Sequence, residues 1–126
     1  MLQDLLPQAE RIAAKLKARN ETISIAESST AGMISAALLA IAGASAYFMG
    51  GAVVYTRKSR SALLAVTDQE LTGITPSTEP YALLFARKIR GKLATTWSVL
   101  IILSSASSKI SSGDIIRKLT TNTTRV

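Results

Sequence analysis

Between Glu27 and Arg57 the chain carries no charged residue, a run long enough to cross a bilayer if it formed one helix. Its internal pattern argues against that. Gly32, Gly43, Gly50 and Gly51 interrupt it, and Ser28, Ser29, Thr30, Ser35 and Ser45 place hydroxyls along it. The composition also changes midway. Met33 to Ile41 is rich in the helix formers Ala and Leu, whereas Ala52 to Tyr55 is β-branched and aromatic. A buried helix followed by a buried strand satisfies both halves, so a layered domain is predicted and no membrane partner.

The flanks continue the alternation. Leu2, Leu5, Leu6, Ala9, Ile12, Ala13 and Leu16 recur at helical spacing, predicting an amphipathic helix over 2–19, with Pro7 near its start and Asn20 as a stop. Thr22 to Ala26 reads as a strand and Ala31 to Ile41 as the helix after it. Lys58 to Ala65 reads as a short helix and Thr67 to Thr75 as a polar connection. Ser77-Thr78-Glu79-Pro80 has the composition of a helix start, followed by an apolar face of Ala82, Leu83, Ala86, Ile89 and Leu93. Trp97 to Leu103 reads as a buried strand. The order predicts an α/β/α layered domain with a largely parallel sheet over residues 1–103. Residues 104–126, rich in Ser and Thr and basic, read as a poorly ordered tail.

The chemistry is bounded by what is missing. With no histidine and no cysteine, thiol nucleophiles, imidazole bases, disulfides and the usual zinc sites are excluded. No metal or cofactor is expected. The lack of cysteine, and a first segment that mixes Asp4 and Glu10 into its apolar pattern, fit a cytoplasmic location. The run Ile25-Ala26-Glu27-Ser28-Ser29-Thr30-Ala31-Gly32 then stands out as a strand–turn–helix with three hydroxyls beside a carboxylate. Hydroxyls in such a turn cap the helix, or the helix start binds an anion, or one serine acts as a nucleophile. A serine nucleophile in this chain needs a lysine, carboxylate or tyrosine as base.

The net charge of +7 asks for an anionic partner, with basic residues gathered at Arg57-Lys58-Arg60 and at Arg87-Lys88-Arg90-Lys92. These clusters lack interleaved aromatics and any DNA- or RNA-binding signature, which ranks nucleic acid below a small phosphorylated ligand.

Three ordered blocks carry a family resemblance. Ala26-Glu27-Ser28-Ser29-Thr30-Ala31-Gly32 resembles the AESCTGG signature of the CinA C-terminal family, the nicotinamide-nucleotide amidases. Gly43-Ala44-Ser45-Ala46-Tyr47-Phe48-Met49-Gly50-Gly51 resembles that family's GSSAYFxGG segment. Tyr55-Thr56-Arg57-Lys58-Ser59-Arg60 stands where the family has a YSNEAK-like block, followed by Leu63-Leu64-Ala65-Val66. The resemblance covers residues 1 to about 99. It implies hydrolysis of the carboxamide of nicotinamide mononucleotide to the acid and ammonia, with a small-molecule nucleotide as partner. It also implies Ser28 as nucleophile, with Glu27, Ser29, Thr30, Gly32, Tyr55 and Arg57 around the substrate.

The family's lysine at the end of the third block is Arg60 here. Arginine stays protonated and cannot accept the serine's proton, which leaves Lys58, two residues earlier, as the candidate base. The family's glycine-rich GxAGPxGG-type loop has no counterpart in 104–126, so the C-terminal part of the domain reads as missing or replaced. An incomplete sheet exposes an edge and favours a homo-oligomer. The alternatives are a nucleotide-binding relative with impaired catalysis and, third, a basic nucleic-acid-binding protein.

Overall fold

The computed structural model describes residues 2–76 and 78–101. Helix α1 (Leu2–Arg19) leads to strand β1 (Ile23–Glu27), helix α2 (Met33–Leu39), a 3-10 turn (Ala44–Ala46) and strand β2 (Phe48–Val53). Helices α3 (Arg57–Leu64) and α4 (Glu79–Leu93) follow, and then strand β3 (Trp97–Ile101). The strands form a parallel sheet in the order β2-β1-β3. This is the predicted layered α/β/α architecture.

The first strand is central and buried along its whole length. Its side chains alternate between two cores, as the pleat requires. Ile23 and Ile25 join Leu5, Ala9, Ala13 and Leu16 of α1 and Ile34 and Leu38 of α2 on one face. Ala26 joins Tyr81, Phe85, Ala86 and Ile89 of α4 on the other, with Leu64 and Val66 from the α3 region. The first crossover runs from β1 through α2 to β2, and the second runs the other way, from β2 through α3 and α4 past β1 to β3. Right-handed crossovers of that kind place the intervening helices on opposite faces.

Several element bounds differ from the sequence reading. Helix α1 has the expected bounds, with Pro7 inside it near its start. The helix after the first turn is shorter than Ala31 to Ile41, because Ala31 and Gly32 both take positive φ (55° and 90°) and cannot belong to it. The second strand spans Phe48–Val53, within the extended region expected between the Gly43-Ala44-Ser45 turn and Tyr55 but ending before Tyr55, and it is not buried on both faces: Met49, Gly51 and Val53 are exposed. An outer position in the described sheet gives it water on one side, so alternation replaces a continuous apolar run. The third strand is described to Ile101, and the 104–126 tail lies outside the described residues.

Hydroxyls close the far end of the sheet. Ser24 and Thr95 hydrogen-bond at 2.7 Å in the interior, and Thr22 and Thr96 exchange backbone-to-side-chain bonds of 3.1 and 3.0 Å. The Tyr47 hydroxyl is fully buried and donates to the Leu38 carbonyl, and burial pushes its pKa above the ordinary value. Tyr47 of the second family-like block is therefore a core residue. No helix among the described residues is long and apolar enough to cross a membrane.

Candidate functional site

At the carboxyl end of β1 both neighbouring strands are still attached. The Val54 N–H donates to the Glu27 carbonyl at 2.7 Å, and the Ser28 N–H donates to the Ile101 carbonyl at 3.1 Å. The next residues turn out of the sheet. With chain connections departing to opposite sides, this end of β1 is a topological switch point, the place where open α/β sheets form a crevice for ligands.

The turn is built around an internal anion. Glu27 is only 1% exposed, and its carboxylate turns toward the start of α2. One oxygen accepts from Thr30 Oγ1 at 2.8 Å and the Ile34 N–H at 2.9 Å; the other accepts from the Ser35 N–H at 3.0 Å and Ser35 Oγ at 2.7 Å. Four donors thus converge on one carboxylate. The residue at the helix cap, Gly32, has no side chain to do this work, so a glutamate from the preceding strand supplies the acceptors. The anion position expected for a ligand is filled from within, and Glu27 and Thr30 are turned inward as scaffold rather than toward a substrate.

What remains outward is a short list. Ser28 is half-buried and Ser29 exposed, and neither hydroxyl has a hydrogen-bond partner among the described residues. The amide N–H groups of Ser29 and Thr30 likewise donate to no described acceptor. A free serine hydroxyl beside free amide donors is the local arrangement an acyl-transfer nucleophile and its oxyanion need.

Two residues that the sequence reading did not select complete the turn. Ser35 supplies two of the four bonds to Glu27. Gly51 on β2 leaves room for it: a Cβ there would lie 2.9 Å from Ser35 Oγ and 2.9 Å from the Ile25 carbonyl. The paired glycines were the visible signal, but only the packing shows which atoms need the space.

The other candidates gather on α3. Tyr55 is 68% exposed, and its carbonyl accepts from Arg60 Nη2 at 3.3 Å. Thr56 caps α3 by accepting from the Ser59 N–H at 3.1 Å, while Ser59 Oγ accepts from the Thr56 N–H at 3.0 Å. Arg57 is held by Asp68, with Nε at 3.0 Å and Nη2 at 2.7 Å from the same carboxylate oxygen. The Arg60 guanidinium lies 5.7 Å from the centre of the Tyr81 ring, and its buried Nε has no partner among the described residues. Burial raises the Tyr81 pKa, with the Arg60 charge opposing. Lys58 is exposed without a described partner.

Arg57, Lys58 and Arg60 line a solvent-open cleft of about 690 Å³ with Thr67 and Asp68, and no residue of 27–32 lines it. The structure therefore brings the three cations together with one another, not with Ser28, along this cleft. Asp68 and Tyr81, the partners of two of them, had no signal in the sequence. No group of three His, Cys, Asp or Glu residues among the described residues is placed to hold a metal.

A parallel sheet with helices on both faces and a hydroxyl turn at the end of its central strand defines a layered α/β domain. The chain belongs to the CinA C-terminal domain family, whose model matches residues 6–102. A CinA-like protein of Gloeothece citriformis is 34% identical over 99 residues, covering 79% of this chain and 23% of that protein. One of Cyanothece is 40% identical over 86 residues, covering 68% of this chain and 21% of that protein. The chain thus spans less than a quarter of the length of these two relatives. Among solved structures, the competence/damage inducible protein CihA of Agrobacterium tumefaciens superposes with a TM-score of 0.73 at 28% identity, covering 87% of this chain and 67% of that one. A CinA superfamily protein of Escherichia coli shares the fold, with a TM-score of 0.75 at 21% identity over 88% of this chain and 65% of that one.

Proposed function

We propose that the chain carries the site of a nicotinamide-nucleotide amidase, with the carboxamide carbon of nicotinamide mononucleotide presented to Ser28 Oγ. The observation that supports this reading is the position of Ser28 at the carboxyl end of the central parallel strand, its hydroxyl and the neighbouring amide donors having no partner among the described residues. In the reaction the serine oxygen bonds to the carboxamide carbon and its proton passes to a base. The Ser29 and Thr30 N–H groups stabilise the tetrahedral oxyanion. The C–N bond then breaks as ammonia takes up the proton, and water hydrolyses the acyl ester to the carboxylate. Lys58, the one lysine of the Tyr55–Arg60 block, takes the base role in this reading, which requires the backbone of that block to shift, since Lys58 lines a cleft that no residue of 27–32 lines.

Arg60 favours a second reading, a nucleotide-binding relative without efficient turnover. Its guanidinium replaces the family's lysine, cannot act as base, and is tied to the Tyr55 carbonyl and the Tyr81 ring. Ammonia release from nicotinamide mononucleotide by the chain and by Ser28→Ala separates the two. The amidase reading expects release that falls to background in the variant. Calorimetric binding without release in the unaltered chain selects the second reading instead.

A further inference from the structure

Strand β2 is an outer strand of the described sheet, and its register fixes which of its backbone groups face away. Gly51 lies opposite Ile25 and Val53 opposite Glu27, and the Val54 N–H donates to the Glu27 carbonyl. In a parallel ladder the bonds to Glu27 come from the neighbours of the residue opposite it. Gly51 and Val53 therefore direct their own N–H and C=O groups outward, where no described strand pairs with them. Sheet edges are usually protected by lysine, proline or a bulge. Here a register shift falls between Phe48 and Gly50, at the start of the strand, and Gly50 to Val53 is regular, uncharged and free of proline.

The surface beside this edge is apolar. A Cβ on Gly32 would lie 3.5 Å from Val53 Cγ2, and one on Gly51 would lie 2.9 Å from Ser35 Oγ, so α2 runs along β2 in the reverse direction. Leu39, one turn beyond Ser35, extends the row toward the Met49 end. Leu39, Met49 and Val53 are 54%, 42% and 44% exposed, and Ala36 and Ala40 are exposed as well. A helix face with no charge, beside an open strand edge, is the composition of an interface rather than of a solvated surface.

Charge and symmetry select the partner. The chain carries a net charge of +7, yet residues 28–56 hold none of it, and Arg57, the first charge after them, is paired with Asp68. A strongly acidic or basic partner finds no counter-charge on this face, whereas two copies meet there without opposing like charges. The chain continues past Ile101 from β3, on the other side of β1. A two-fold axis also makes the edge complementary to itself: antiparallel strands centred on Ala52 set the outward groups of Gly51 in each copy against those of Val53 in the other.

We propose that β2 is the interface of a homodimer, in which two copies pair their open edges antiparallel and join their sheets into one, with the uncharged faces of α2 brought alongside.

Sedimentation equilibrium of the full chain over a concentration series, together with amide hydrogen exchange followed by NMR, tests this. A reversible dimer is expected, with the Gly51 and Val53 amides protected in the dimer and exchanging rapidly on dilution to monomer. Val53→Lys, which places a lysine in each copy near the axis, weakens association about tenfold or more. Leu39→Lys, at an exposed helix position that leaves the strand intact, weakens it in the same direction. Arg87→Gln, on the exposed face of α4, leaves association unchanged. A monomer at every concentration overturns the proposal, as does a dimer that survives both lysine variants or leaves those two amides unprotected. Protection of the same amides in the monomer also overturns it, since the edge is then covered from within the chain. Neither measurement depends on ammonia release, so this interface and the Ser28 amidase reading stand or fall separately.

Discussion

Two turns of this domain solve the same problem in opposite ways. Each follows a parallel strand and starts a helix, so each must satisfy backbone N–H groups that have no partner in the helix. After β1 the acceptor is a charged side chain, Glu27, buried beneath the turn and reaching N–H groups at Ile34 and Ser35. After β2 the acceptor is the Thr56 hydroxyl at the surface, in a reciprocal pair with Ser59. The first solution leaves the helix start electrically complete and leaves Ser28 and Ser29 outside it. The second carries no negative charge, and of the cations that follow it Arg57 pairs with Asp68 and Arg60 with the Tyr55 carbonyl, while Lys58 has no partner among the described residues. Burying the acid and exposing the bases separates scaffold from surface chemistry.

Removing each acceptor tests how different the two solutions are. Glu27→Ala orphans four donors, two of them in buried hydrogen bonds, and is expected to destabilise the domain by about 3 kcal/mol or more in urea unfolding. A loss below about 1 kcal/mol would show that water replaces the carboxylate. Gly51→Ala attacks the same turn from β2. Its new Cβ would sit 2.9 Å from both Ser35 Oγ and the Ile25 carbonyl, and a loss of about 2 kcal/mol is expected. Because it displaces Ser35, its effect should be less than additive with Ser35→Ala, and strict additivity in a double-mutant cycle would break that link. Thr56→Ala removes the exposed cap and should cost only about 1 kcal/mol, since solvent reaches the freed N–H. The smallest effect has the opposite sign. Ala31 holds φ at 55°, a conformation that glycine adopts without strain, and Ala31→Gly is expected to raise stability by roughly 0.5–1 kcal/mol, read as a higher unfolding midpoint.

Much of the layering was legible in residue order. The uncharged run, its change from helix formers to β-formers, and the apolar face of α1 all report burial, which hydrophobic pattern records directly. The family-like blocks pointed to Ser28 and to the Tyr55–Arg60 segment. Less legible was the second strand, because Phe48 to Gly51 has neither strict alternation nor β-branched residues, and glycine carries little strand signal. The inward role of Glu27 was hidden for another reason. A carboxylate next to three hydroxyls suggests a ligand site as readily as a cap when the direction of its side chain is unknown. Asp68 and Tyr81 gave no signal, since their partners Arg57 and Arg60 lie 11 and 21 positions away in the chain, joined only by tertiary packing.

By itself the sequence determined a layered α/β domain, without imidazole or thiol chemistry, with hydroxyls at the end of its first strand and an arginine where the family has a lysine. These follow from composition and local period, which depend only on residue type and spacing. Only the tertiary structure decided that Glu27 faces inward, that Gly51 makes room for Ser35, and that the α3 cations share a cleft apart from Ser28. Each of those depends on where distant segments cross. A side chain's partners are set by the packing of layers, and no local pattern encodes that.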